Sequence, residues 1–188
     1  MKQSALIVID MQRFFFAENR DVDQRRLAES CNEIVEISRQ AGLPVIHVVT
    51  LYRADRADWP RAWQSHEHPW CANLVRGGEL AAVVGGIAMR PEDILVEKRR
   101  FSSFYNTNLD DVLRNLGCER LYIIGYSGDV CVRFTSVDAY NRGYSVGLIY
   151  EGIESFRESK DSSVEYLEWA VDAECLTMDE FRKVVRSS

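Results

Sequence analysis

Three side chains of this 188-residue sequence stand where a parallel sheet would bring them to one rim: Asp10, Lys98 and Cys131. Each follows a short aliphatic run. Asp10 comes directly after Ala5-Leu-Ile-Val-Ile9, and Lys98 after Ile94-Leu-Val-Glu97. Cys131 falls in the turn and first coil of the helix beyond Leu121-Tyr-Ile-Ile124. Ligands of open parallel sheets bind beyond the carboxyl ends of the strands. A carboxylate, an ammonium and a thiol meeting there would suit covalent acyl transfer. The meeting requires the first, third and fourth strands to be neighbours.

Helix N-termini favour a thiolate, because their backbone N–H groups are unpaired and the helix dipole is positive there. Lys98 would add charge beside the sulfur. Asp10 would take the thiol proton and return it to a leaving amine. The turn Gly125-Tyr-Ser-Gly128 is rich in small residues and suits inward-pointing amides, an oxyanion hole worth roughly 3–4 kcal/mol per donor. Plainer readings stay open. A cysteine at a strand–helix junction is often a small buried hydrophobe, Asp10 could cap a turn, and Lys98 with Arg99 and Arg100 could form a solvated basic loop.

The elements that must hold these groups alternate between strand and helix, which points to a three-layer α/β fold with a parallel sheet. Ala5–Ile9 reads as a strand buried on both faces. Residues 23–41 carry apolar positions at helical spacing and end before Gly42. Pro44–Val49 is the second strand, Ile94–Glu97 the third, Leu121–Ile124 the fourth and Tyr144–Tyr150 the fifth. Glu174–Thr177 is a short sixth. Helices are expected over 108–116, 129–141, 161–173 and 178–186. Residues 51–78 break the rhythm with three tryptophans and two prolines, and a loop that long is usually functional or mobile. Nothing marks a domain boundary, so 1–188 is read as a single domain.

Composition removes several classes. Apolar residues make up 46% and charged residues 28%, which are globular values. A net charge of −6 argues against nucleic acid as a partner. The longest apolar run is about five residues where a membrane span needs about twenty, and Asp10 interrupts it too early for a signal peptide. Five cysteines with no CxxC pair suggest free thiols and a reducing, cytoplasmic setting.

The motifs resemble those of the isochorismatase-like cysteine hydrolases. Ile9-Asp10-Met11-Gln12 with Phe14 and Phe15 is similar to that family's opening. Lys98-Arg-Arg-Phe-Ser-Ser-Phe104, with Asn106, Thr107 and Leu109, resembles its lysine segment. Gly125-Tyr-Ser-Gly-Asp-Val-Cys-Val-Arg-Phe-Thr135, continuing through Asp138-Ala139 and Gly143-Tyr144, resembles its nucleophile segment. The resemblance implies a doubly wound six-stranded parallel sheet with helices on both faces, a homo-oligomer (dimer or tetramer) and no cofactor. It implies an Asp10–Lys98–Cys131 triad in which the cysteine attacks an amide or ureido carbonyl and forms a thioester that water cleaves. It also implies a cis Tyr126–Ser127 peptide and an oxyanion hole at the amides of Ser127 and Cys131.

Two departures from the family pattern stand out. Gly128 replaces the frequent threonine, which removes a hydroxyl and is expected to loosen the turn. Leu51-Tyr-Arg-Ala-Asp-Arg-Ala-Asp-Trp59 lacks the Asp-x-His metal motif of the nicotinamidase branch. His66, His68 and Cys71 offer no spaced third ligand, so no metal is expected. The family's vinyl-ether-cleaving members tend to lack the nucleophilic cysteine, so its presence favours C–N cleavage. Gln12, Phe14, Phe15, Trp59, Tyr105 and Tyr126 are candidates to contact a small-molecule substrate, with Trp63 and Trp70 as alternatives to Trp59. Arg53, Arg56 or Arg61 could clamp a substrate carboxylate. The rival functions are a binding or scaffold protein without turnover, and a thiol redox sensor.

Overall fold

The computed structural model describes residues 3–18, 22–67 and 69–186. The chain runs β1 (Gln3–Ile9), α1 (Arg13–Glu18), α2 (Gln24–Gln40), β2 (Val45–Thr50), α3 (Arg61–Gln64) and β3 (Ile94–Lys98). It continues through α4 (Leu109–Asn115), β4 (Cys118–Tyr126), α5 (Arg133–Asn141), β5 (Ser145–Glu154), α6 (Lys160–Val171), β6 (Glu174–Leu176) and α7 (Met178–Arg186). A 3-10 turn at Trp70–Leu74 precedes β3, and a π-helical turn at Gly128–Val132 leads into α5.

The six strands form one sheet in the order β3-β2-β1-β4-β5-β6, and every pairing is parallel. Alternation along the Ala5–Ile9 part of β1 shows why that stretch is apolar throughout. Ala5, Ile7 and Ile9 enter one core with residues of α4, α5 and α6. Leu6 and Val8 enter the other with α2 and α7. Burying each such aliphatic side chain contributes about 1.5–3 kcal/mol. Helix α2 begins at Asp23, whose carboxylate accepts the Arg26 amide at 3.1 Å. It ends at Gly42, whose φ of +73° suits the left-handed stop.

The sheet order corrects one expectation. β3 is not a neighbour of β1, because β2 lies between them. The strand order reverses between β1 and β4, so their carboxyl ends border the crevice where such folds bind ligands. β4 and β5 run past Ile124 and Tyr150 because pairing continues, after a register shift, through Gly125 with Ile153 and Tyr126 with Glu154. Lys98 is the last residue of β3 and does not follow it. Residues 51–78 are not irregular throughout. They hold α3 and the 3-10 turn, and pack Tyr52, Trp59, Cys71 and Leu74 with Phe14 in a third small core. Helix α1, which carries Phe14 and Phe15, has no counterpart in the sequence reading.

Candidate active site

The last polar residues of three adjacent strands meet at the rim. Asp10 leaves β1 with φ of +51°, a left-handed conformation that aspartate tolerates better than most residues. Its amide reaches the Val48 carbonyl at 2.9 Å. Beside it, β4 comes so close that a side chain at Gly125 would place Cβ 2.1 Å from the Ile9 carbonyl oxygen, so only glycine fits. Lys98 crosses from β3 over the end of β2. Its Nζ lies 2.7 Å from Asp10 Oδ2 and 3.2 Å from Cys131 Sγ. It also donates to Thr50 Oγ1 at 2.8 Å and to the Arg100 carbonyl at 3.1 Å. The three expected groups are therefore together, with Asp10 0%, Lys98 1% and Cys131 6% exposed.

Thr50, the last residue of β2, was not anticipated. Its hydroxyl accepts from Lys98 and donates to Asp10 Oδ1 at 2.9 Å, filling the gap left by the interposed strand. The signal was present: Thr50 is the first polar residue after Val48-Val49, as Asp10 is after Ile9. Gln12 fixes this threonine from behind. It accepts the Thr50 amide at 2.7 Å and donates to the carbonyls of Thr50 at 3.0 Å and Ala81 at 2.8 Å. Fully buried and outside the cavity lining, Gln12 holds the frame behind Thr50.

Burial raises the Cys131 thiol above its ordinary range; the Asp10 carboxylate adds to the rise, and Lys98 opposes it without cancelling it. That direction is opposite to the one a helix N-terminus and a lysine alone would give. Burial works against the Lys98 ammonium, but Asp10 and Cys131 outweigh it and raise that group. A carboxylate within reach is then the proper acceptor for the thiol proton.

The Tyr126–Ser127 peptide is cis. The Ser127 carbonyl accepts the amides of Val130 and Val132, both at 3.0 Å, which flank Cys131 in the π-helical turn. Ser127 Oγ donates to Asp129, whose carboxylate also accepts the amides of Phe156 at 3.0 Å and Arg157 at 2.7 Å. Gly128 does not loosen this turn. A Cβ there would lie 2.5 Å from Ser155 Oγ, which is held by Ser163 Oγ at 2.9 Å. The neighbouring strand end fills the space.

Cys131 opens onto a cavity of about 310 Å³. Phe14, Phe15 and Tyr126 line it, as do Trp63, Trp70, Phe101, Phe156, Arg100 and Arg157. Trp59 does not. Its indole donates to the Arg53 carbonyl at 2.9 Å and its ring packs edge-on against Tyr52, behind the wall. Tyr105 is 54% exposed and lies outside the lining, beneath the Arg100 guanidinium. Arg53 is spent on Asp55, Arg56 sits over Trp59 and Arg61 is exposed on α3, so none of the three reaches the cavity. His66 packs on Trp63, and His68 lies outside the described residues. Among the described residues no group of three His, Cys, Asp or Glu is placed to hold a metal ion.

A family profile described as the isochorismatase domain matches residues 4–180. The chain belongs to the isochorismatase family. Among its relatives, the ureidoacrylate amidohydrolase RutB of Agrobacterium fabrum is 28% identical over 163 residues, 76% of this chain and 72% of that protein. An Arabidopsis thaliana protein named a probable inactive nicotinamidase is 30% identical over 149 residues, 76% of this chain and 76% of that one. The structure of N-carbamoylsarcosine amidase from Thermoplasma acidophilum superposes with a TM-score of 0.79 at 27% identity, covering 95% of this chain and 98% of that one. This isochorismatase-family chain shares its fold with that amidase.

Proposed function

We propose that this protein hydrolyses a non-peptide C–N bond, amide or ureido, of a small molecule, with Asp10, Lys98 and Cys131 as its catalytic residues. The observation that carries the reading is the Lys98 ammonium in contact with both Asp10 and Cys131 at the floor of the cavity. The names of two relatives, ureidoacrylate amidohydrolase and N-carbamoylsarcosine amidase, support the same bond class.

Asp10 removes the thiol proton as Sγ attacks the carbonyl carbon. The carbonyl oxygen takes the negative charge against the backbone amides of Ser127 and Cys131. Lys98 keeps sulfur and carboxylate in register and holds positive charge beside both. When the tetrahedral intermediate collapses, Asp10 returns the proton to the departing nitrogen, which leaves as amine or ammonia. The acyl or carbamoyl group stays on Sγ as a thioester. Water, deprotonated by Asp10, attacks that carbonyl, and the proton passes back to the thiolate.

A screen of amides and carbamoyl compounds for ammonia release tests this, with Cys131→Ala as the blank. Turnover lost in Cys131→Ala and in Asp10→Asn is expected, each by several orders of magnitude. Near-full activity in Asp10→Asn would remove the base assignment. The relative named inactive supports a second reading, small-molecule binding without turnover. Binding with no ammonia from any compound would select it.

A further inference from the structure

The cavity is lined by three cationic side chains, Lys98, Arg100 and Arg157, and by no carboxylate. Lys98 is matched by Asp10 behind it. The two guanidiniums are not matched, although arginines close to them are. Arg99 pairs with Asp58 at 3.0 Å and Arg133 with Glu158 at 2.5 Å. Arg100 instead donates to the main-chain carbonyls of Asp58 at 3.3 Å and Arg99 at 2.7 Å, which fix its position without cancelling its charge. Arg157 lies 5.4 Å from the Phe156 ring centre, and Asp129 pins its backbone amide. Among the described residues neither guanidinium is within ion-pair reach of a carboxylate.

Arg100 is part-buried in this apolar-walled cleft and Arg157 is exposed at its edge, and positive charge left uncompensated there concentrates its field on whatever enters. A guanidinium fork also matches both oxygens of a carboxylate. The remaining wall is mostly aromatic, with Phe15, Trp63, Trp70, Phe101 and Phe156, and suits a flat or apolar carbon body. We propose that Arg100 and Arg157 form an anion-reading subsite. The molecule taken up carries a carboxylate joined through an aromatic-bearing segment to the carbonyl presented to Cys131. The cleavage half of this statement rests on the hydrolase reading; the binding half does not.

The test uses N-carbamoyl-L-phenylalanine and 2-phenylethylurea, which differ by the carboxylate. Calorimetric titration of the Cys131→Ala protein should give at least about tenfold tighter binding of the acid. Arg157→Gln and Arg100→Gln, each added to Cys131→Ala, should weaken the acid on the order of tenfold to hundredfold, the loss of a charge-assisted hydrogen bond. The acid-to-neutral ratio should shrink with it. Equal affinity for the two probes, an acid preference untouched by both arginine changes, or binding of neither probe overturns the proposal. Wild-type turnover is read separately by ammonia release. Acid bound selectively but never cleaved leaves the subsite standing and removes the hydrolase reading.

Discussion

Replacing Thr50 with valine keeps the side chain's shape and removes only the hydroxyl that joins β1 and β3 across β2. That hydroxyl makes two bonds to ionised partners, at 2.8 Å from Lys98 and 2.9 Å to Asp10. Hydrogen bonds to charged groups contribute about 1.5–3 kcal/mol each, and a buried charge left short of a partner has no water to turn to. Asp10 keeps its Lys98 contact at 2.7 Å, so the loss should fall at the low end of the sum, about 3 kcal/mol. Catalysis should suffer as well. With Oδ1 released, the carboxylate can turn away from the sulfur, and a displacement of about 1 Å costs about a hundredfold. Urea unfolding and steady-state kinetics on wild type, Thr50→Val and Thr50→Ser measure both effects. Serine restores the hydroxyl and should recover most of the stability and kcat. If Thr50→Val stays within about 0.5 kcal/mol of wild type with kcat intact, the hydroxyl bridge is idle. If Thr50→Ser fails as badly as Thr50→Val, the lost methyl packing matters and the hydroxyl does not.

Three further outcomes are expected. Stability should fall above pH 9, because burial raises the Cys31 thiol from 9.0 to about 12 and the folded state keeps a proton that the unfolded chain gives up. Each such group contributes a slope of about 1.4 kcal/mol per pH unit in that window, and Lys98, also raised, acts in the same direction at still higher pH. Urea midpoints taken between pH 8 and 11 check this, and a flat profile would contradict the burial of Cys31. Gly128→Thr should destabilise by about 1–3 kcal/mol through overpacking against Ser155. Adding Ser155→Gly should recover part of the loss in a double-mutant cycle, whereas strict additivity would mean the two residues do not touch. Asp129→Asn puts an amide donor where backbone N–H groups of 156–158 need an acceptor, and amide exchange at Phe156 and Arg157 should quicken at least about tenfold. Unchanged exchange would show that those residues are held by something else.

Aliphatic runs made the sheet legible, because a strand buried on both faces leaves no other pattern; Ala5–Ile9 is the plainest case. The same runs located Asp10, Lys98 and the turn before Cys131, since a polar residue ending such a run has only the rim to occupy. The order of strands was not legible. Nothing local in Val45–Thr50 says that β2 separates β1 from β3, so Thr50 went unnoticed. The cavity wall was least legible. Trp59, Trp63 and Trp70 sit within twelve residues of one another, and only their packing against Tyr52 or the open cleft distinguishes them. Arg100 read as one member of a basic loop, and Arg157 drew no notice, because what sets them apart is the carboxylate each lacks.

The interposed β2 has one more consequence. Asp10, Thr50 and Lys98 come from the ends of strands paired in one sheet, while much of the cavity wall comes from α1, the excursion before β3 and the segments after β3 and β5. Selectivity and chemistry therefore meet at the segment after β3, where the Arg100 carbonyl accepts from Lys98, and are mounted apart elsewhere. Exchanging residues 61–64 for other sequences should redirect which compound is accepted and leave the nucleophile's setting as it stands, whereas residues 155–158 also brace the nucleophile's turn through Ser155 and the amides bonded to Asp129.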